Sequence, residues 1–278
     1  MILNIKTRAY LLIGLLAVSW GTIPLIIRTS GVSSLSLVGI RTFLGSIFLF
    51  AFLLRDNKVN KELFLSGFIL GPLLAIHWST MFLSIELNSV AIGIGLVFTY
   101  PIFIVLIEFL RGNKVSLQQT LIILIGFFGL YLLLDLEQIS SLIGVVYGLI
   151  SALTLSILVI YGSSKTEKYG GLNVAFVQVF FAAICLSPFT IQGFSWLQNN
   201  LLISMFLGFF LTGVGLVTYW YVVRIVSPVS IGTITYLEPV TGVLIGTFLL
   251  NEILTSLQIV GFVLVLSVGF LQVYLDSK

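Results

Sequence analysis

The sequence predicts an all-α membrane protein of ten transmembrane helices, arranged as two inverted-topology five-helix repeats. Three observations carry that prediction. First, 59% of the 278 residues are hydrophobic and 8% are charged, with a mean hydropathy of +1.19, whereas a soluble domain carries about a quarter charged residues. Second, the apolar residues fall into runs of roughly 20, the length a helix needs to cross a bilayer with its backbone bonded internally; the alternation over about 10 residues expected of a membrane barrel is absent. Third, the second half of the chain repeats landmarks of the first in the same order.

Turn and charge signals divide the runs into spans at 9–28, 34–54, 62–85, 89–110, 117–134, 142–162, 172–192, 201–223, 229–250 and 256–275. Span one follows Lys6 and Arg8; it is too long for the core of a cleaved leader, and Trp20 and Pro24 stand where a small-residue cleavage site would be needed. Span two holds the intramembrane Arg41, and span three places His77, Thr80 and Ser84 on one face, with Trp78 beside His77. Span four contains Tyr100-Pro101, and spans five and ten are nearly uniform in Leu, Ile, Val and Phe. Span six presents Tyr147, Ser151 and Thr154, span seven Gln178 and Cys185, span eight Thr212, Gly215 and Tyr219, and span nine Thr235, Tyr236, Glu238, Pro239 and Thr241.

With a cytoplasmic N-terminus, Lys6, Arg8, Arg55, Lys58, Lys61, Arg111, Lys114, Lys165, Lys168, Arg224 and Lys278 all fall inside, against Arg28 alone outside. Eleven against one is the bias the positive-inside rule demands, and miscounting one span would destroy it. It predicts that both termini are cytoplasmic, in a chain expected in the plasma membrane, and it accounts for the net charge of +3 without a nucleic-acid partner. Glu86, Asp135, Glu137 and Glu252 fall in or beside outside loops, and all loops are short. One cysteine, Cys185, allows neither a disulfide within the chain nor a cysteine metal cluster.

The halves, 9–134 and 142–275, align around their prolines. Val90-Ala91-Ile92-Gly93 matches Val229-Ser230-Ile231-Gly232, Tyr100-Pro101 matches Glu238-Pro239, Asn113-Lys114 matches Asn251-Glu252, Ser116-Leu117-Gln118 matches Ser256-Leu257-Gln258, and Gly129 matches Gly269. Five spans per repeat force the second half to enter the bilayer in the opposite orientation, and such inverted repeats place a substrate site near the midplane. On Tyr236-Leu237-Glu238-Pro239, Gly246, Asn251-Glu252 and Gly269, with Trp20-Gly21 and Arg41 as further support, the chain resembles the drug/metabolite transporter superfamily, specifically its EamA-type ten-helix members, over essentially its whole length. The turn Gly112-Asn113-Lys114 departs from the family's glycine-glutamate pair. The resemblance implies a secondary transporter or exporter, often of amino acids or related metabolites, with spans five and ten peripheral.

Polar groups are costly in lipid, so their stripes mark faces turned toward a cavity. Glu238 leads the candidates for substrate binding or coupling: a carboxylate at the bilayer centre costs about 2.5–3.5 kcal/mol on insertion scales and needs a partner or water, and proton coupling, binding of a substrate amine, or tying down the broken helix all fit. Arg41 fits a substrate carboxylate, an ion pair with Glu238, or helix packing. His77 reads as a hydrogen-bonded interior histidine, with titration during transport left open, and a lone histidine gives no metal site. Trp20, Trp78, Tyr100, Tyr147, Tyr219, Tyr236 and Thr235 complete the candidate lining, and interfacial anchoring is open to the aromatic ones. Pro24, Pro101 and Pro239 are candidate helix kinks.

No paired aspartates, zinc motif, nucleophile with its base or phosphate loop is present, so the sequence predicts neither an enzyme nor a resident cofactor. A membrane-embedded enzyme, or a channel or facilitator without proton coupling, is the alternative. The expected partners are a small-molecule metabolite, membrane lipid and protons as a candidate coupling ion, with the oligomeric state open.

Overall fold

The computed structural model describes residues 4–54, 59–112, 116–134, 139–226, 228–249 and 255–276. Arg55, Lys58, Asn113, Lys114, Asp135, Glu137, Asn251, Glu252 and Lys278, invoked above for orientation and repeat, lie outside them. The described residues are helical nearly throughout, as the hydropathy requires. Seven helical segments are long and apolar enough to cross a membrane, and three shorter apolar helices occupy Thr120–Leu132, Gly171–Cys185 and Ser256–Val268.

The chain runs α1 Ile5–Trp20, α2 Ile23–Thr29, α3 Ser34–Leu53, α4 Lys61–Leu87, α5 Val90–Val97, α6 Tyr100–Leu110, α7 Leu117–Leu134, α8 Leu142–Tyr169 and α9 Gly171–Cys185. It continues through α10 Ser187–Gln192, α11 Phe194–Asn199 and α12 Leu201–Met205, a π-helical stretch Phe206–Val214, α13 Gly215–Val223, α14 Pro228–Ile234, α15 Leu237–Leu249 and α16 Ser256–Asp276. Polar residues at the loop ends cap these helices: the side chains of Ser33, Asn60, Ser89 and Ser141 accept from the amides of Ser36, Leu63, Ile92 and Gly144. Gly170, at a φ of 81° that other residues avoid, separates α8 from α9.

Four predicted spans are broken inside: span seven after Cys185, where Pro188 falls in the first turn of α10, and spans one, four and nine. In these last three, helix stops after Trp20, after Val97 and after Ile234, and resumes with Pro24, Pro101 and Pro239 in its first turn. Each proline lacks the N–H that would have continued the preceding helix and suits the start of the next. Pro72, by contrast, is carried within the unbroken α4. Helix α8 also outruns its span, predicted to end at 162: its last turns carry Lys165 and Lys168, which pair with Glu62 at the start of α4 at 3.2 and 2.6 Å. At the far end of α4, the buried Asn88 side chain accepts from the amides of Ser140 and Ser141 at 3.0 and 2.9 Å and donates to the Ser141 carbonyl at 3.2 Å, while Arg28 donates to the Asn88 carbonyl. Losing three hydrogen bonds of about 1 kcal/mol each, Asn88→Ala is expected to lower the thermal midpoint in detergent, with Asn88→Asp, which keeps the two acceptors, falling between it and wild type.

Helices α7 and α16 pack chiefly on each other. Helix α4 lies between α8 and α9, at approaches that side chains on the contact face would prevent: a Cβ on Gly71 would stand 2.7 Å from the Phe181 carbonyl carbon, and one on Gly67 would stand 2.8 Å from Val177. Trp196 donates its indole N–H to the Ser30 carbonyl at the end of α2 at 2.9 Å. Glu108 pairs with Arg111 at 2.9 Å.

Candidate functional site

The breaks in spans one, four and nine converge on one cavity. Its walls are Trp20 and Ile23 flanking the first break, Phe98 and Tyr100 at the second and Thr235 and Glu238 at the third, joined by side chains from α3, α4, α8, α9 and α13. No described residue of α7 or α16 lines it.

The breaks are stitched to each other and to the walls. Thr235 Oγ1 donates to the Gly232 carbonyl at 3.0 Å and therefore accepts from the Tyr100 hydroxyl at 2.9 Å, joining the second break to the third. Ser156 on α8 donates to the Tyr100 carbonyl at 2.9 Å. The first break meets the third through Gly21, where a Cβ would come within 2.8 Å of the Glu238 carbonyl oxygen. Trp20 donates its indole N–H to the Leu211 carbonyl at 2.8 Å, in the π-helical stretch, and its ring lies 6.0 Å from that of Tyr219.

Arg41 is 1% exposed. Its Nε donates to Thr212 Oγ1 at 3.0 Å, its guanidinium lies 3.8 Å from the centre of the Trp78 ring, and its Nη1 has no hydrogen-bond partner. Thr212 is fixed in turn by donating to the Leu207 carbonyl at 2.8 Å. Glu238, 9% exposed, faces the same cavity, and its carboxylate has no hydrogen-bond or ion-pair partner among the described residues. The two charges thus share one chamber without forming an ion pair.

His77 bonds to α8. Ser151 Oγ donates to the His77 carbonyl at 2.9 Å and so accepts from His77 Nδ1 at 2.8 Å; this assigns the ring proton to Nδ1 and leaves Nε2 as an acceptor. Gln178 on α9, 0% exposed, accepts the Trp220 indole N–H at 2.7 Å, while its Nε2 has no partner.

Of the expected lining, the structure brings Trp20, Arg41, His77, Trp78, Tyr100, Tyr219, Thr235 and Glu238 to the cavity. Tyr236 is buried behind it: its ring lies 5.8 Å from that of Phe98 and close to Gly126 of α7. Tyr147 stands outside the lining because of its depth rather than its face, since Leu155, eight residues or about 12 Å further along α8, is the first residue of that helix to line the cavity. Gln178, noted on span seven, and Trp220 also line it, and the apolar lining of Leu74, Met81, Leu158 and Leu216 carried no sequence signal that separated it from lipid-facing positions.

The sequence model of the EamA-like transporter family matches residues 7–135 and again 142–273. An uncharacterized transporter of Archaeoglobus fulgidus is 25% identical over 90% of this chain and 91% of its own. The uncharacterized inner membrane transporter YedA of Escherichia coli K12 is 28% identical over 87% and 83%, and YxxF, an uncharacterized transporter of Bacillus subtilis, is 24% identical over 87% and 82%. A crystal structure superimposes over 95% of both chains with a TM-score of 0.72 at 17% identity, a likeness of fold. These names are those of transporters, not enzymes, and with family matches spanning nearly its whole length the chain belongs to the EamA-like transporter family.

Proposed function

We propose that this protein is a secondary transporter that moves a small, amino-acid-like metabolite across the plasma membrane by alternating access. In this reading the seven long and three shorter apolar segments make ten crossings, the halves 9–134 and 142–275 are inverted repeats, and both termini are cytoplasmic. The two separate family matches and the break shared by the Pro101 and Pro239 spans support the repeat.

The observation that carries the substrate class is the unpaired Arg41 and Glu238 in one cavity. A buried charge is expensive unless it is compensated, and a zwitterion compensates both at once, its carboxylate toward Arg41 and its ammonium toward Glu238. The apolar and aromatic remainder of the wall suits a side chain of modest polarity. A phosphate ester, wanting several basic groups, fits this single arginine poorly.

The test is uptake of labelled amino acids into proteoliposomes, with and without an imposed pH gradient, comparing wild type with Glu238→Gln at matched reconstitution. Gradient-driven accumulation that falls at least tenfold in the variant is expected. Equal, gradient-independent equilibration in both proteins would remove proton coupling and leave Glu238 a structural role, and absence of flux for every amino acid would overturn the substrate class.

A further inference from the structure

We infer that Gln178 is a substrate-binding residue that shares with Arg41 the recognition of a carboxylate, with Trp220 as the positioning residue that aims it. The inference deepens the transport reading by assigning a residue and a ligand group to one part of the cavity.

The Trp220 indole N–H can only donate, so the amide oxygen of Gln178 must face it, as the 2.7 Å contact records. An amide flip would set two donors against each other. That fixes the other end of the side chain: Nε2, with two hydrogens, points away from Trp220 and has no partner, on a residue that is 0% exposed and lines the cavity. Trp220 cannot easily turn to release it, because its ring fills the space left by Gly162, where a Cβ would lie 2.7 Å from Cζ2.

Orphaned buried donors are rare and ask for an explanation. Here there are two on one cavity, Gln178 Nε2 and Arg41 Nη1. Their helices, α9 and α3, pack against each other. Each side chain is held by a separate bond, Gln178 Oε1 accepting from Trp220 and Arg41 Nε donating to Thr212, and two donors cannot satisfy each other. Two fixed donors, one of them cationic, match an anionic group with several lone pairs, and a carboxylate is the smallest organic group that supplies them.

Gln178→Glu separates this role from a structural one. The carboxylate side chain still accepts from Trp220 and so keeps the tie between α9 and α13, but it presents an acceptor to the cavity in place of the donor. Gln178→Met, which keeps the volume and removes both functions, is the second variant.

Purified protein in nanodiscs is titrated with 3-phenylpropionate and with 3-phenylpropionamide, read by intrinsic tryptophan fluorescence. Trp20, Trp78 and Trp220 all border the cavity. Wild type is expected to bind the carboxylate at least tenfold more tightly than the amide, with that preference lost in Gln178→Glu and cut several-fold in Gln178→Met. Trp220→Phe, which frees the amide to rotate, is expected to reduce the preference. A wild-type preference retained in both Gln178 variants would make the residue an interhelical tie and overturn the inference, as would a wild type without preference. Because neither probe carries an amine, carboxylate preference without amino-acid flux would sink the amino-acid reading and leave this assignment standing.

Discussion

Arg41→Lys, although it keeps the positive charge, is expected to weaken substrate binding by the reconstituted transporter about a hundredfold, and Arg41→Gln to remove measurable uptake. The guanidinium does three things from one rigid plane: it bonds Thr212, lies on Trp78 and offers its remaining donors to the cavity. A lysine ammonium is a point charge on a flexible stem and reproduces neither the stacking nor the fork. Losing a desolvated contact of this kind costs about 2 kcal/mol for the cation over an indole, with more from the displaced hydrogen bonds to a charged ligand. Concentration dependence of uptake checks the size of the effect, and the thermal midpoint separates it from misfolding. A lysine variant with wild-type KM would reduce the role of Arg41 to charge alone.

Gly71→Leu is expected to prevent accumulation of folded protein, and Gly71→Ala to lower the thermal midpoint markedly. The obstacle at this position is backbone: a Cβ would stand 2.7 Å from the Phe181 carbonyl carbon and 2.8 Å from the Ala182 nitrogen, so relief requires moving α9 bodily. Overpacking a tight core costs about 1–3 kcal/mol where side chains can give way, and here they cannot. Phe181 lies three residues beyond Gln178 on the same helix, so the shift also displaces a wall of the cavity. Gly14→Ala is the control, since the nearest atom to its Cβ is Leu237 Cδ1 at 3.6 Å, and it is expected to behave like wild type. Stability in detergent and ligand affinity, measured on the same samples, test both halves of this prediction.

The helical segments and their interruptions were legible because each rests on a property of the chain itself. Apolar length sets where a helix can cross, and the missing N–H of Pro24, Pro101 and Pro239 sets where it cannot continue. Arg41 and Glu238 were legible as site candidates because a charge within an apolar run has few places to go. The helix ends were less so: the extension of α8 to Tyr169 brings Lys165 and Lys168 to Glu62, 103 residues before Lys165. Nothing in the local sequence marks Asn88, since its three side-chain bonds reach across more than 50 positions. Tyr147 and Tyr236 show the same limit from the other side. An aromatic side chain on a polar stripe says which face it shares, and depth along α8 or a turn of the broken span decides whether that face meets the cavity. The π-helical stretch at Phe206–Val214 had no sequence mark at all; its consequence is visible in Thr212, whose hydroxyl reaches the carbonyl five residues back while accepting from Arg41.

Helices α4 and α8 belong to different halves of the sequence, yet they are riveted together along their length. Glu62 with Lys165 and Lys168 closes one end, His77 with Ser151 the middle, Ser84 with the Gly144 carbonyl at 2.7 Å about two turns further on, and Asn88 with Ser140 and Ser141 the other end. A slide of one sequence half past the other would shear every rivet at once. The pair therefore forms a mast common to both halves, and the helix breaks at Trp20, Val97 and Ile234 all lie outside it. The seam between the two stretches matched by the family model, 7–135 and 142–273, is thus crossed by the most extensively packed helix pair among the described residues.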